Sequence, residues 1–214
     1  MKKAIIITIS IIILLLIYVF FLKSTLTITP KPSPANITID KKLFENSDKA
    51  SIKLGSGKHK LKIEKEGYEN YESTIKLGFL ENKNINIDLK PTNETQDKQD
   101  IERISKQFTE VWFTYKSQTD KDYLEKIKPF MTKNFYEGTY YVNTKRPQDF
   151  KGQVPLNSLA STAEIIDYSG NKSLVNITVE SNEPTTSKSY SQKAIITLIK
   201  ENNNWLVDYL KPVL

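Results

Sequence analysis

The run Ala4–Leu22 carries no charged residue, follows directly on Met1-Lys2-Lys3, and has only Thr8 and Ser10 as small polar residues. As a helix it is roughly 28 Å long, close to a bilayer core of about 30 Å. Both hydroxyls can bond back to a carbonyl one turn earlier, so neither opposes insertion. A cleaved secretory signal shares the basic start, but its apolar core is usually about 7 to 15 residues. No small-x-small cleavage site follows this run, which continues Lys23-Ser24-Thr25. With no cysteine in the chain, lipoprotein processing is excluded. The expectation is an uncleaved N-terminal transmembrane helix over residues 4–22. Lys2 and Lys3 before it, against Lys23 after it, place residues 1–3 in the cytoplasm and the bulk outside.

Charge narrows the function classes. Lys and Arg total 31 against 25 Asp and Glu, a formal +6, and the basic residues are spread along the chain rather than clustered. A nucleic-acid partner is therefore not expected. The lack of cysteine also excludes disulfides and thiolate metal sites.

Pro30, Pro32 and Pro34 alternate after the run, a spacing that forbids a continued helix and favours extended backbone. Residues 23–34 read as a short stiff stalk. From Ala35 to Leu89 the apolar residues then alternate. Ile37 and Ile39 set one phase, and Ala50, Ile52 and Leu54 a second. His59, Leu61 and Ile63 follow, then Tyr71, Ile75 and Leu77, then Ile85, Ile87 and Leu89. Five half-buried strands with short polar connections predict a small all-β, antiparallel sandwich over residues 35–90. His59 is the sole histidine and falls in the inward phase, and the sequence shows nearby none of the partners that a base or metal site needs.

The segments Ser33-Pro34-Ala35-Asn36-Ile37-Thr38-Ile39-Asp40, Gly57-Lys58-His59 and Gly67-Tyr68 together resemble the PEGA domain, over about residues 26–90. Lys41 stands where that family usually has Gly. The resemblance implies a compact sandwich on an extracytoplasmic bacterial protein, one that scaffolds or binds rather than catalyses.

Residues 91–97 are polar and read as a linker. Ile101, Ile104, Phe108, Val111, Trp112 and Tyr115 then form one helical stripe. A second helix is expected over Asp120–Lys128 and a third over Thr132–Tyr141, capped by Thr132. Leu159–Tyr168, Ser173–Glu180, Ser189–Lys200 and Trp205–Leu210 read as strands joined by Ser169-Gly170-Asn171 and by Asn202-Asn203-Asn204. Three helices followed by a meander ending in Trp205-Leu206-Val207 resemble the nuclear transport factor 2-like cone over residues 98–214. The expected C-terminal domain is accordingly an α+β cone with three helices and an antiparallel sheet. Membrane-anchored forms of that cone act as assembly platforms in type IV secretion and conjugation.

Such cones also host enzymes that pair an acid with Tyr or His. The candidates here are Asp122, Glu164 or Asp167 with Tyr136, Tyr140, Tyr141 or Tyr168, and no spacing singles out a pair. No phosphate loop, metal cluster or nucleophile motif is present. The expectation is no catalytic residue, no metal and no cofactor, in a non-enzymatic envelope scaffold or binding protein. It would touch membrane lipid through residues 4–22, contact an envelope protein or wall polymer, and form a homo-oligomer. The alternatives are a type IV secretion or conjugation platform, and a small-molecule-binding or catalytic cone. Tyr140 and Tyr141, beside the basic loop residues Lys145, Arg146 and Lys151, are the candidate contact surface, since paired aromatic and basic groups suit interface anchors.

Overall fold

The computed structural model describes residues 23–114, 122–145, 156–186 and 188–213; within these, residues 122–123, 140–145 and 159–161 are described by backbone alone. The chain forms two compact units that meet between Thr92 and Asn93 in sequence.

The first unit contains β1 (Ser24–Lys31), β2 (Ala35–Ile39), β3 (Lys42–Ser47), β4 (Ala50–Leu54), β5 (Gly57–Glu64), β6 (Tyr71–Leu77) and β7 (Asn82–Asp88). They form one sheet in the order β4-β1-β7 and another in the order β3-β2-β5-β6. Alternation places Leu26, Ile28, Ala50 and Ile87 of the first sheet against Ile37, Ile39, Leu61, Ile63, Ile75 and Leu77 of the second, in a single apolar core.

Two expectations are corrected here. Residues 24–31 are not a stalk but the middle strand of the smaller sheet, with Leu26 and Ile28 fully buried. The sandwich is also not purely antiparallel, because β1 runs parallel to β7 from Thr25↔Asn82 to Lys31↔Asp88. Extended backbone is what alternating prolines favour, and a strand satisfies that as well as a stalk does. The ladder continues past Pro30, with the Leu89 N–H donating to the Lys31 carbonyl at 2.7 Å. Strand β3, outside the expected five, is an edge strand with no buried residue.

The second unit opens with α1 (Asn93–Phe113), then α2 (Asp122–Ile127), a 3-10 turn (Lys128–Phe130) and α3 (Lys133–Lys145). A meander of β8 (Asn157–Tyr168), β9 (Lys172–Asn182), β10 (Ser189–Glu201) and β11 (Asn204–Val213) follows, hydrogen-bonded in sequence order and antiparallel throughout. Ile101 and Phe108 of α1 pack with Val175, Ile177 and Val179 of β9, Ile196 and Leu198 of β10, and Trp205 and Val207 of β11. The register shifts at Ala160/Thr162, Ile165/Asp167 and Thr197/Leu198, irregularities of the kind that bend a strand. Asn202 and Asn203 turn the last hairpin with φ of 49° and 64°, a left-handed backbone that asparagine tolerates. Thr132 receives the Phe135 N–H at 3.2 Å and so caps α3 as expected, while its own hydroxyl donates to Asp208 at 2.9 Å.

The expected fold class is corrected as a whole. Strand is the majority state of the first unit and of the described residues as a whole, and three helices with one 3-10 turn are the only other regular structure among the described residues. No described helix is long and apolar enough to cross a membrane. The helix expected over Ala4–Leu22 lies outside the described residues. The linker expected over residues 91–97 is corrected too, since Asn93 to Asp97 are the first turns of α1.

Candidate functional site

Along α1 the buried positions are Asp97, Ile101, Ser105, Phe108 and Thr109, one face at helical spacing. The first of them is charged, and an unpaired buried carboxylate is costly. Three donors meet it. Lys200 Nζ donates to Oδ1 at 2.6 Å, Trp205 Nε1 donates to the same oxygen at 3.1 Å, and the Tyr168 hydroxyl donates to Oδ2 at 2.9 Å. The Lys200 ammonium also lies 5.7 Å from the Trp205 ring centroid, and Lys98 lies 5.5 Å from that of Tyr168. The cluster thus joins the start of α1 to the ends of β8 and β10 and the start of β11.

Its electrostatics bear on the chemistry open to it. Burial alone would raise the Asp97 pKa, but the hydrogen bonds from Lys200, Trp205 and Tyr168 more than offset it and hold the carboxyl below its ordinary range. The Tyr168 phenol is pushed up to about 12, first by burial and then by its bond to Asp97. A general base works best with a pKa near the working pH, and both groups are tuned away from it. The arrangement can fasten a helix to a sheet, and its acceptor oxygens are already engaged.

Beneath α1, among the described residues, aromatic rings pack on one another. Phe108 and Trp112 have ring centroids 5.2 Å apart, and Trp112 stacks on Phe135 at 5.8 Å. An open recess of about 380 Å³ lies beside this packing, lined by Arg103, Ile104, Pro129, Phe130, Glu201 and Trp205 among others. The first unit carries a similar polar recess of about 390 Å³ around Pro34, Asn36, Asn46, Glu64 and Lys65.

The first unit has its own charged pair. His59 Nδ1 lies 2.8 Å from Asp40 Oδ2, and its Nε2 lies 2.9 Å from the Gly55 carbonyl. Asp40 holds a positive φ of 54° and accepts the Lys60 N–H at 2.9 Å. Burial alone would lower the His59 pKa; the bonds to Asp40 and Gly55 outweigh it and leave the imidazole above its usual range. The Asp40 carboxyl is lowered, chiefly by the His59 bond. His59 therefore sits in the inward phase, yet it uses both ring nitrogens to pin the β2–β3 turn to the β4–β5 connection.

The residues singled out by sequence are not brought together. Glu164 and Asp167 are exposed on β8. Tyr136 donates to Glu125 Oε1 at 3.1 Å beneath the Lys128 ammonium. Among the candidates whose side chains are described, Tyr168 meets a buried carboxylate, and its partner is Asp97, which was not among the candidates. Asp122, Tyr140, Tyr141 and Lys145 fall where only the backbone is described, and Arg146 and Lys151 lie outside the described residues. Asp97 had one sequence signal: it continues the Ile101–Phe108 stripe toward the helix start, where a solvated acid would leave it.

The PEGA domain family matches residues 23–93. That span begins at the strand mistaken for a stalk and ends where α1 begins. No curated protein matches the chain. Among solved structures, an Ntf2-like protein involved in plasmid conjugation is 14% identical, with a TM-score of 0.38 over 73% of this chain and 68% of that one. An IcmL-like type IV secretion system protein from Legionella pneumophila is 13% identical, with a TM-score of 0.40 over 55% of this chain and 94% of that one.

Proposed function

We propose that this chain is a non-enzymatic binding or scaffold protein of the bacterial envelope, working outside the cytoplasm. The observation that carries this reading is the PEGA match over residues 23–93. The engagement of Asp97 supports the non-enzymatic part, since that buried acid already holds three donors, from Lys200, Trp205 and Tyr168. The finer placement is part of the proposal. Residues 4–22 contact lipid of the cytoplasmic membrane, with the N-terminus inside and both units outside, as the apolar run and its flanking lysines suggest. The end of α3 and the segment after it, with Tyr140, Tyr141, Lys145, Arg146 and Lys151, contact an envelope protein or wall polymer.

Cross-linking the full chain in intact envelopes tests this reading. A discrete heteromeric adduct, lost when Tyr140 and Tyr141 are both changed to Ser, is the expected result. A ladder of multiples of the chain itself would instead favour the platform reading. A chain that yields neither, and that turns over a small molecule, contradicts the proposal.

A further inference from the structure

The β6–β7 turn, Gly78-Phe79-Leu80-Glu81, is fastened to the first residue of β1. The Ser24 hydroxyl donates to the Gly78 carbonyl at 2.7 Å and accepts the Glu81 N–H at 3.0 Å. The Thr25 N–H donates to the Glu81 carbonyl at 2.9 Å. Ser24 itself is buried, so the turn is held directly against the point where the chain enters the sandwich. That point lies two residues after Leu22, the end of the apolar run.

The composition of this turn is unusual for its position. Phe79 and Leu80 are each 51% exposed. Leu80 holds a φ of 52°, a left-handed conformation that glycine or asparagine adopts more readily. A solvated turn gains nothing from two large apolar side chains, one of them on a disfavoured backbone. The surroundings are basic. Lys58 and Lys76 are opposite each other on β5 and β6 beside the turn, and Lys83 follows it on β7, with its Nζ donating to the Lys76 carbonyl at 3.0 Å. Lys23 precedes Ser24, and Glu81, the one acidic residue between Lys76 and Lys83, has its Oε1 3.7 Å from Lys83 Nζ.

We infer that Phe79 and Leu80 dip into the interface of an anionic lipid bilayer, with the surrounding lysines facing its headgroups. Apolar side chains ringed by cations are what such a surface retains. The inference rests on the proposed lipid contact of residues 4–22 and adds to it a second contact, which would fix how the first unit is oriented at the membrane.

The absence of cysteine allows a clean test in the full chain. Phe79→Cys, Leu80→Cys and, at the far end of β7, Asp88→Cys are each labelled with an environment-sensitive fluorophore. Each is then mixed with vesicles of equal parts phosphatidylcholine and phosphatidylglycerol, and dichroism checks that it keeps its fold. The expected result is that all three variants float with the vesicles. The labels at positions 79 and 80 shift to the blue and are quenched by lipid spin-labelled near the headgroup, while the label at 88 does neither. Floating chains whose three labels respond alike overturn this contact and leave membrane attachment standing. Chains that stay in the aqueous fraction overturn both.

Discussion

Tyr168 donates its hydroxyl hydrogen bond to Asp97 at 2.9 Å, across 71 positions of sequence. The bond fastens the end of β8 to the start of α1, on a carboxylate that also holds Lys200 and Trp205. Asp97→Ala leaves a lysine, an indole and a phenol without their acceptor and should cost about 3 kcal/mol, in the range for breaking a buried ion pair. Tyr168→Phe removes one bond and should cost about 1 kcal/mol. Both tryptophans, Trp112 and Trp205, belong to the second unit, so their fluorescence in urea titrations reads these losses without interference from the first. Equal midpoints for wild type and Asp97→Ala would show that the cluster carries no stability.

The same cluster sets a pH dependence at both ends of the scale. The Asp97 pKa is lowered in the folded chain, so its contribution is present above the ordinary value of 3.8 and is lost as pH falls through the folded value. The Tyr168 pKa is raised, so its contribution is present below the ordinary 10.0 and is lost as pH rises toward about 12. The tryptophan-detected midpoint should fall below pH 4 and again between pH 10 and about 12. Tyr168→Phe should flatten the alkaline fall more than the acid one.

In the first unit the His59–Asp40 pair predicts a window of its own. His59 is raised from 6.5, so its contribution is full below that value and fades as pH rises through the folded pKa. Asp40 is lowered from 3.8, so its contribution fades as pH falls below that value. Amide exchange from β2 and β5 should be slowest between about pH 4 and 6.5 once corrected for intrinsic rates. Asp40→Asn should remove the difference between pH 6 and pH 8; an unchanged difference would assign it to other groups.

Leu26→Ala should destabilise the first unit by about 2 to 5 kcal/mol, as for other buried leucines truncated in a core. A stalk residue would tolerate the change. Dichroism at matched denaturant concentrations, with the tryptophan signal marking the second unit separately, distinguishes the two.

How far the fold could be read in advance follows from which pattern each segment carried. The stripe of α1 and the meander β8 to β11 were legible because 3.6-residue and two-residue periodicity ran for many residues between clear turn signals. Strand β1 was hidden by Pro30, Pro32 and Pro34, whose extended preference fits a stalk equally well, and its parallel partner β7 lies more than fifty residues away. Strand β3 was hidden because an exposed edge need not alternate. Asp97 falls at the end of the stretch expected as a linker, although its phase with Ile101 marks it as buried. Its three partners come from distant strands, which local sequence does not display.

The proposed role requires both units to lie outside the cytoplasm. Lys49→Cys in the first unit and Lys172→Cys in the second, both exposed positions in a chain without other cysteines, can be treated with a membrane-impermeant maleimide in cells whose cytoplasmic membrane is intact. Both positions should be labelled as fully as in lysed cells. Labelling that appears only after the cytoplasmic membrane is broken would contradict that role.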